Sequence, residues 1–417
     1  MTLTEPAALS IPPQAPPAQS PRAQETVHWP SILQFVLTLV TALFLFLVAA
    51  GFLIIGTTQD ETTSVQSYVF AVSIAMCGVL LLPSSWFSIR RLNGQLPQQS
   101  WLPKLPLAAG GLTIFALPVL LFLGNWVVTH NRFVLPLLPF LHVLAVGIPV
   151  FWITYLVLRG LRLGSQQRAW GVFDSGLVLA PALISVLEIS ALLAAVILAV
   201  VGISSQTDLV TQLTEMTRDF VPPGPSPEEA MKILGPLIAR PGFILSVLTF
   251  ASVIVPLIEE AIKPIGVWLL AGKRLSPSVG FAAGALSGAG YALFENLLLT
   301  MPTNEWLFVA VARIGTSAVH ILTASLMGWA LVLAWNQGKY VRLGAVYLLA
   351  VCIHGLWNAL SLTYSFSETL QSLTGVKAPA VLVQLGSYAP AGLLLLAAGS
   401  FAGLLWLNAY HRHKSML

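Results

Sequence analysis

Ten long apolar runs constrain this chain more than any other feature of its sequence. Each is long enough to supply the roughly 20 residues that a helix needs to cross the hydrocarbon layer of a bilayer. The runs therefore predict an all-α fold, a polytopic integral membrane bundle of about ten transmembrane helices. They lie approximately at residues 30–56, 67–89, 105–128, 134–158, 172–204, 242–271, 277–300, 306–335, 343–365 and 381–408.

The composition excludes several classes of water-soluble protein. Of the 417 residues, 56% are hydrophobic and 9% are charged, whereas an ordinary soluble chain carries about 25% charged residues. Too few charges remain to cover a surface that faces water, which excludes a soluble enzyme, a disordered protein and a coiled coil. Nucleic acid is not expected as a partner. The two cysteines, Cys77 and Cys352, lie inside apolar runs, so we expect neither a disulfide framework nor a cysteine zinc site.

The basic residues are concentrated in alternate connections between the runs. The N-terminal tail and every second connection hold most of the 20 Lys and Arg residues, among them Arg90, Arg159, Lys273, Lys339 and Lys414. Cytoplasmic loops of membrane proteins carry an excess of Lys and Arg. Both termini are therefore predicted to be cytoplasmic.

Composition and run boundaries divide the chain into six segments. The longest connection contains Ser226-Pro227-Glu228-Glu229, which is typical of a helix start. That connection could lie on the membrane surface, cover an opening or merely join two helices. The predicted segments are a disordered Pro-rich cytoplasmic tail (1–29), a five-helix membrane region (30–204), an extracytoplasmic amphipathic loop (205–241), a polar membrane core (242–365), the last transmembrane helix with its preceding loop (366–408) and a cytoplasmic tail (409–417).

Ionisable residues inside the apolar runs are distributed unevenly. Each costs at least about 2.5 to 3.5 kcal/mol at bilayer depth, so each needs a partner, a water-filled cavity or a function. The first five runs hold His142 and Glu188, with Asp174 near a predicted helix end. The four consecutive runs between 242 and 365 carry Glu259, Glu260, Lys263, Glu295, Arg313, His320 and His354.

The first of these four runs contains two carboxylates and a lysine at helical spacing. Lys263 follows Glu259 by four residues and Glu260 by three, which places the side chains on neighbouring faces of a helix. One carboxylate can pair with the lysine while the other points elsewhere, and two carboxylates in different surroundings suit acid and base chemistry. The alternative is a charge-balanced contact inside the bundle.

The next two runs supply a carboxylate, a guanidinium and an imidazole. Glu295 lies one turn after Tyr291 in a run rich in small residues, and Arg313 and His320 lie on roughly one face of the following helix. We expect Arg313 to pair with a carboxylate, because an unpaired guanidinium would be very costly in the bundle. For Glu295 and His320 a structural hydrogen bond is the alternative to a chemical role.

The last of the four runs places His354 and Asn358 one turn apart on the same side. An imidazole can bind a metal or orient a water, and an amide NH2 can donate to an oxygen on which negative charge develops. Glu259, His320 and His354 each lie near the middle of a different run. This common depth predicts that the three side chains share one pocket.

Two carboxylates, two imidazoles and an amide suit hydrolysis by an activated water. A Glu removes a proton from the water, a His or a metal positions it, and a donor stabilises the tetrahedral oxyanion. The sequence contains neither the Gly-x-Ser-x-Gly pattern nor the His-Glu-x-x-His pattern of other hydrolases. A proton- or cation-coupled transporter that uses the same mid-membrane Glu and His residues is the alternative.

The order of these motifs resembles that of the PrsW family of intramembrane proteases, which is grouped with the CAAX prenyl proteases and bacteriocin-immunity (CPBP or Abi) proteins. The resemblance covers roughly residues 244–365. In the chain it consists of Glu259-Glu260-Ala261-Ile262-Lys263, Phe294-Glu295-Asn296, His320 with Gly328 eight residues on, and His354-x-x-Trp357-Asn358. One departure is Leu297-Leu298-Leu299-Thr300, where family members often carry a tyrosine.

The resemblance implies an intramembrane endopeptidase that cleaves a peptide bond in or near the transmembrane segment of a single-pass substrate, such as an anti-sigma factor, in a bacterial plasma membrane. Glu259 would be the base that activates water, with Glu260 held beside it by Lys263. The rest of the implied site is Glu295, His320 and His354, with Arg313 in support and Asn358 as an oxyanion donor.

A metal cofactor is left open by the same residues. Zn²⁺ bound by His320, His354 and Glu259 is one arrangement that a carboxylate and two imidazoles can form. The same three groups could also hold a water molecule without a metal.

Overall fold

A computed structural model describes residues 28–59, 61–96, 99, 105–130, 132–204, 211, 227–299 and 306–416. These residues form an α-helical bundle, which confirms the all-α prediction. Residues 1–27 of the predicted disordered tail lie outside the described residues. Most of the predicted loop before Pro227 lies outside them as well. The helices are α1 (Trp29–Gly56), α2 (Glu61–Leu92), α3 (Leu107–His130), α4 (Leu138–Leu158), α5 (Gln166–Asp174), α6 (Ala180–Ser204), α7 (Pro227–Ile238), α8 (Pro241–Thr249), α9 (Val255–Ile262), α10 (Ile265–Trp268), α11 (Pro277–Leu298), α12 (Trp306–Gln337), α13 (Tyr340–Thr374) and α14 (Ala380–Met416).

Nine helical spans among the described residues are long and apolar enough to cross a membrane. The remaining predicted run, 277–300, forms α11, whose glycines, Glu295 and Asn296 make it less apolar and whose residues are mostly buried. A helix that is surrounded by protein does not need a uniformly apolar surface. The sidedness of the termini stays a prediction. The nine spans are Trp29–Gly56, Thr63–Leu92, Ala108–Thr129, Leu135–Leu158, Gln166–Val201, Pro241–Trp268, Trp306–Gln337, Tyr340–Glu368 and Ala380–Lys414.

Two of these spans contain a π-helical turn. Ser175–Leu179 joins α5 to α6, and Phe250–Ile254 joins α8 to α9. A π turn inserts a local bulge and is frequent at functional sites. The span that contains the first π turn begins at Gln166, and Asp174 is the last residue of α5, directly before that turn.

Helices α11 and α12 pack with their backbones in close contact. A methyl group on Gly284 of α11 would overlap the carbonyl oxygen of Ala324, and one on Gly328 of α12 would overlap the carbonyl oxygen of Gly280. Small residues at such positions allow membrane helices to approach closely. This approach places Glu295 of α11 next to the polar face of α12.

Helix α13 packs against the second π turn by a similar contact. A methyl group on Gly355 would overlap the carbonyl oxygen of Ser252. One turn later, the Asn358 amide nitrogen donates a hydrogen bond to the carbonyl oxygen of Ala251, at 2.8 Å. The two contacts hold His354 next to the span that carries Glu259 and Glu260.

The chain between α9 and α10 is tied to α11. Pro264 has no N–H group and interrupts the helix directly after Lys263. The Ser287 hydroxyl donates to the Lys263 carbonyl oxygen at 2.6 Å and accepts from the Gly266 N–H at 3.3 Å. This interruption fixes the position of Lys263, which is fully buried.

We predict that Gly284→Val destabilises the bundle by about 1 to 3 kcal/mol, because the new side chain overlaps the backbone of α12. Gly399→Val is the matched control, since nothing lies within 4 Å of a methyl group at that helical position. Thermal unfolding of the detergent-solubilised protein measures both. Equal melting temperatures for the two variants would contradict the packing of α11 on α12.

Candidate active site

The ammonium group of Lys263 lies at the centre of the predicted polar site. Its Nζ atom is 2.8 Å from Glu259 Oε2, 2.8 Å from Glu260 Oε1 and 2.7 Å from His320 Nδ1. An ammonium group has three hydrogens and no lone pair; it forms hydrogen bonds with Glu260 and His320 and an ion pair with Glu259. A charge buried at this depth is tolerated only when it is paired in this way.

His354 occupies the opposite side of the two carboxylates. Its Nδ1 is 2.9 Å from Glu260 Oε1 and 3.2 Å from Lys263 Nζ. The Lys263 ammonium forms a hydrogen bond with His354 Nδ1, and Glu260 lies at ion-pair distance from the same atom. The Nε2 atom of His354 lies 3.9 Å from Glu259 Oε2. That distance is too long for a direct hydrogen bond and suits a water molecule held by both atoms.

Both ring nitrogens of His320 are engaged by other side chains. Nδ1 faces Lys263, and Nε2 is 2.6 Å from Glu295 Oε2. The other oxygen of Glu295 is 2.7 Å from Arg313 Nη1, which confirms that Arg313 pairs with a carboxylate. Glu295 therefore links the arginine to the imidazole and fixes the orientation of the His320 ring.

Two further residues face Glu259 and were not among the predicted site residues. The Tyr291 hydroxyl and the Glu188 carboxyl both interact with the Glu259 carboxyl group. The Tyr291 ring also lies 4.9 Å from Lys263 Nζ and 5.2 Å from the His320 ring. Tyr291 lies one helical turn before Glu295 in the sequence, and this spacing could have indicated that it belongs to the site. The position of Glu188 in the sequence, on α6, gives no indication that its side chain lies near α9.

Helix packing explains how Glu188 reaches the site. Ile184 lies one turn before Glu188 and is buried with Tyr291 against Ile258. The α6 face that carries Glu188 therefore turns toward Glu259. One oxygen of Glu188, Oε1, is buried and has no hydrogen-bond partner among the described residues.

Asn358 stands apart from the charged cluster in its hydrogen bonding. Its amide nitrogen donates to the Ala251 carbonyl oxygen, as described above. The amide has a second N–H group, so this bond leaves one donor for another acceptor. The predicted oxyanion role of Asn358 stays a prediction, and the observed bond gives the residue a part in positioning α13.

The site offers a donor set for a divalent metal ion. Glu259, His320 and His354 are buried, and their ligand atoms all lie within 4.8 Å of one another. A carboxylate and two imidazoles are ligands that Zn²⁺ accepts, so the residues fit a metal in kind and spacing. The Lys263 ammonium contacts all three of these side chains. A metal and the ammonium are therefore alternatives for one position.

The groups nearest Lys263 are almost completely buried. Lys263 and Glu260 are fully buried, and Glu259, His320 and His354 are at most 7% exposed. In such surroundings electrostatic interactions are stronger than in water. The cluster can hold a water against a carboxylate and can stabilise a nearby negative charge.

Comparison with known proteins agrees with this geometry. Residues 240–385, about a third of the chain, match the family described as PrsW family intramembrane metalloprotease. The match contains all of the predicted site residues and ends beyond the predicted boundary at residue 365, whereas Glu188 lies outside it. No curated protein and no solved structure matches the chain. Residues 240–385 are thus similar to the PrsW family of intramembrane metalloproteases, and the protein is a multi-pass membrane peptidase.

Proposed function

We propose that the protein hydrolyses a peptide bond in or near a transmembrane segment of its substrate with a water activated by Glu259. The observation that carries the proposal is the pair of Glu259 Oε2 and His354 Nε2, which face each other 3.9 Å apart. A water between them would form a hydrogen bond with the imidazole and give a proton to the carboxylate. Its oxygen would then attack the scissile carbonyl carbon.

The same groups can complete the reaction. Glu259, once protonated, returns the proton to the leaving amine nitrogen as the carbon–nitrogen bond breaks. The Lys263 ammonium, next to Glu259, opposes the build-up of negative charge in the site. The second N–H group of Asn358 is our candidate donor to the oxyanion. Glu260, Glu295 and Arg313 hold Lys263, His354 and His320 in place.

A metal would add to this chemistry through the same residues. Glu259, His320 and His354 would hold it, and a bound Zn²⁺ would lower the pKa of a water molecule and polarise the substrate carbonyl. The position of Lys263 makes metal binding and ammonium binding compete.

The substrate proposal is a single-pass membrane-anchored protein such as an anti-sigma factor, in a bacterial plasma membrane. It rests on the family resemblance and on a site placed within membrane-spanning helices. Placement in the wider CPBP group stays a prediction. The transporter alternative is not favoured, because the matching family is one of proteases.

We predict that Glu259→Gln lowers peptide cleavage at least about a hundredfold, because a carboxamide cannot accept a proton from water. Cleavage of a transmembrane-peptide library in proteoliposomes measures the effect. Glu368→Gln, an exposed position within the same matched segment, should retain full activity. Full activity in Glu259→Gln would overturn the assigned base. Proton flux that depends on Glu259, in wild-type liposomes without proteolysis, would support the transporter.

We predict that Lys263→Met binds Zn²⁺ at least tenfold more tightly than the wild-type protein, because the ion no longer competes with an ammonium for Glu259 and His320. Competition with a chromogenic chelator at fixed pH measures the affinity of the detergent-solubilised protein. Lys377→Met, which alters an exposed lysine, should leave it unchanged. Equal or weaker binding in Lys263→Met would show that the lysine does not compete with the metal.

We predict that Glu188→Leu lowers kcat about tenfold or more and that Glu188→Gln restores most of it. A carboxamide at residue 188 keeps a polar group next to Glu259, whereas leucine does not. Ser190→Leu is the control, because it changes an exposed position on the same helix. If Gln and Leu at residue 188 lower kcat equally, a polar side chain next to Glu259 is not the reason for the loss.

A further inference from the structure

A second site lies at the end of the bundle where five chain segments meet. It is a cavity of about 500 Å³ between the residues that follow α4, the start of α11, the end of α12, the start of α13 and the end of α14. None of its lining residues belongs to the polar cluster around Lys263. The cavity is therefore separate from the candidate active site, although α11 and α12 contribute to both.

The lining of this cavity is strongly basic. Arg162, Lys339, Arg342 and Lys414 come from three different segments and all face it. Within the described part of the chain the lining includes no Asp or Glu, and no carboxylate forms an ion pair with these four residues. Four cations around one cavity repel each other, and an anionic ligand would relieve that repulsion.

The cavity also has an apolar wall and aromatic residues that hold the cations at its rim. Leu161, Leu333 and Trp329 line it. The Arg342 guanidinium lies 5.9 Å from the centre of the Trp329 ring, and Lys414 Nζ lies 4.8 Å from the centre of the Tyr410 ring. A ligand that fits both parts has a negatively charged head and an apolar body.

The position of the cavity favours a lipid over a free phosphate compound. It lies at the ends of membrane spans, among a Trp and a Tyr of the kind enriched at the level of lipid headgroups. The charge distribution predicts that this side is cytoplasmic, where anionic lipids attract clustered Lys and Arg. The Ser276 cap of α11 also lines the cavity, and the positive end of the helix adds to the attraction of an anion.

We propose that this cavity binds the headgroup of an anionic phospholipid. Arg162, Lys339, Arg342 and Lys414 hold the phosphate and the remaining headgroup charge, and the Trp329 wall contacts the glycerol and the first part of the acyl chains. A lipid bound there joins the ends of α11, α12, α13 and α14. Its binding stabilises the folded bundle, whether or not the proposed protease chemistry is correct.

The test measures binding of phosphatidylglycerol to the full chain in detergent, by native mass spectrometry and by the shift in melting temperature. We expect it to bind wild-type protein more tightly than phosphatidylcholine and to raise the melting temperature. Lys339→Gln combined with Arg342→Gln should weaken binding about tenfold or more, since each surface cation contributes about 1 kcal/mol, or about fivefold, to binding an anionic lipid. Lys273→Gln with Arg274→Gln, a pair on the same predicted side outside the cavity lining, should change it little.

Two further arms make the result decisive. Lys339→Arg combined with Arg342→Lys keeps both charges, so retained binding in this variant shows that charge is responsible and that folding is intact. Glycerol 3-phosphate tests a free phosphate ligand and should bind far more weakly than the lipid. The proposal is overturned if both double Gln variants lose binding equally, if phosphatidylcholine binds as well as phosphatidylglycerol, or if glycerol 3-phosphate matches the lipid.

Discussion

The buried ammonium of Lys263 organises the polar centre of this protein. A single positive charge within the membrane-spanning bundle is unstable unless carboxylates and lone pairs surround it. Here Glu259 and Glu260 come from the same span, while His320 comes from α12. The requirement to neutralise one cation thus brings separate helices to one point. The hydrolytic geometry that we propose uses groups that this requirement has already assembled.

Glycine residues make that assembly possible, because they have no side chain to keep neighbouring helices apart. Gly284 and Gly328 let α11 and α12 approach, and Gly355 lets α13 reach the π turn of the span that carries Glu259. The π turn in turn presents the Ala251 carbonyl oxygen to Asn358. The π turn, the Gly355 contact and the Asn358 hydrogen bond together set the position of His354 relative to the two adjacent carboxylates. A displacement of about 1 Å in such a register is enough to impair catalysis.

The two ends of the α11 and α12 pair differ in whether their positive charges have carboxylate partners. Around Lys263 both cations, Lys263 and Arg313, are paired with carboxylates within the chain. At the basic cavity, the described lining carries positive charge with no carboxylate to balance it. An unbalanced cluster at headgroup level suits a ligand that the membrane itself supplies.

The sequence by itself determined the helical membrane fold, since only long apolar helices satisfy both the backbone and the lipid. It also indicated which runs carry the site, because ionisable residues at bilayer depth are costly and need a reason to be there. Only the tertiary structure decided that Lys263 contacts His320 as well as its helical neighbours, that Asn358 bonds to a backbone carbonyl, and that Glu188 reaches Glu259. These contacts depend on the rotation and spacing of helices far apart in the chain. Spacing along one helix cannot define the relative rotation of two helices, because packing of side chains and glycine contacts sets it.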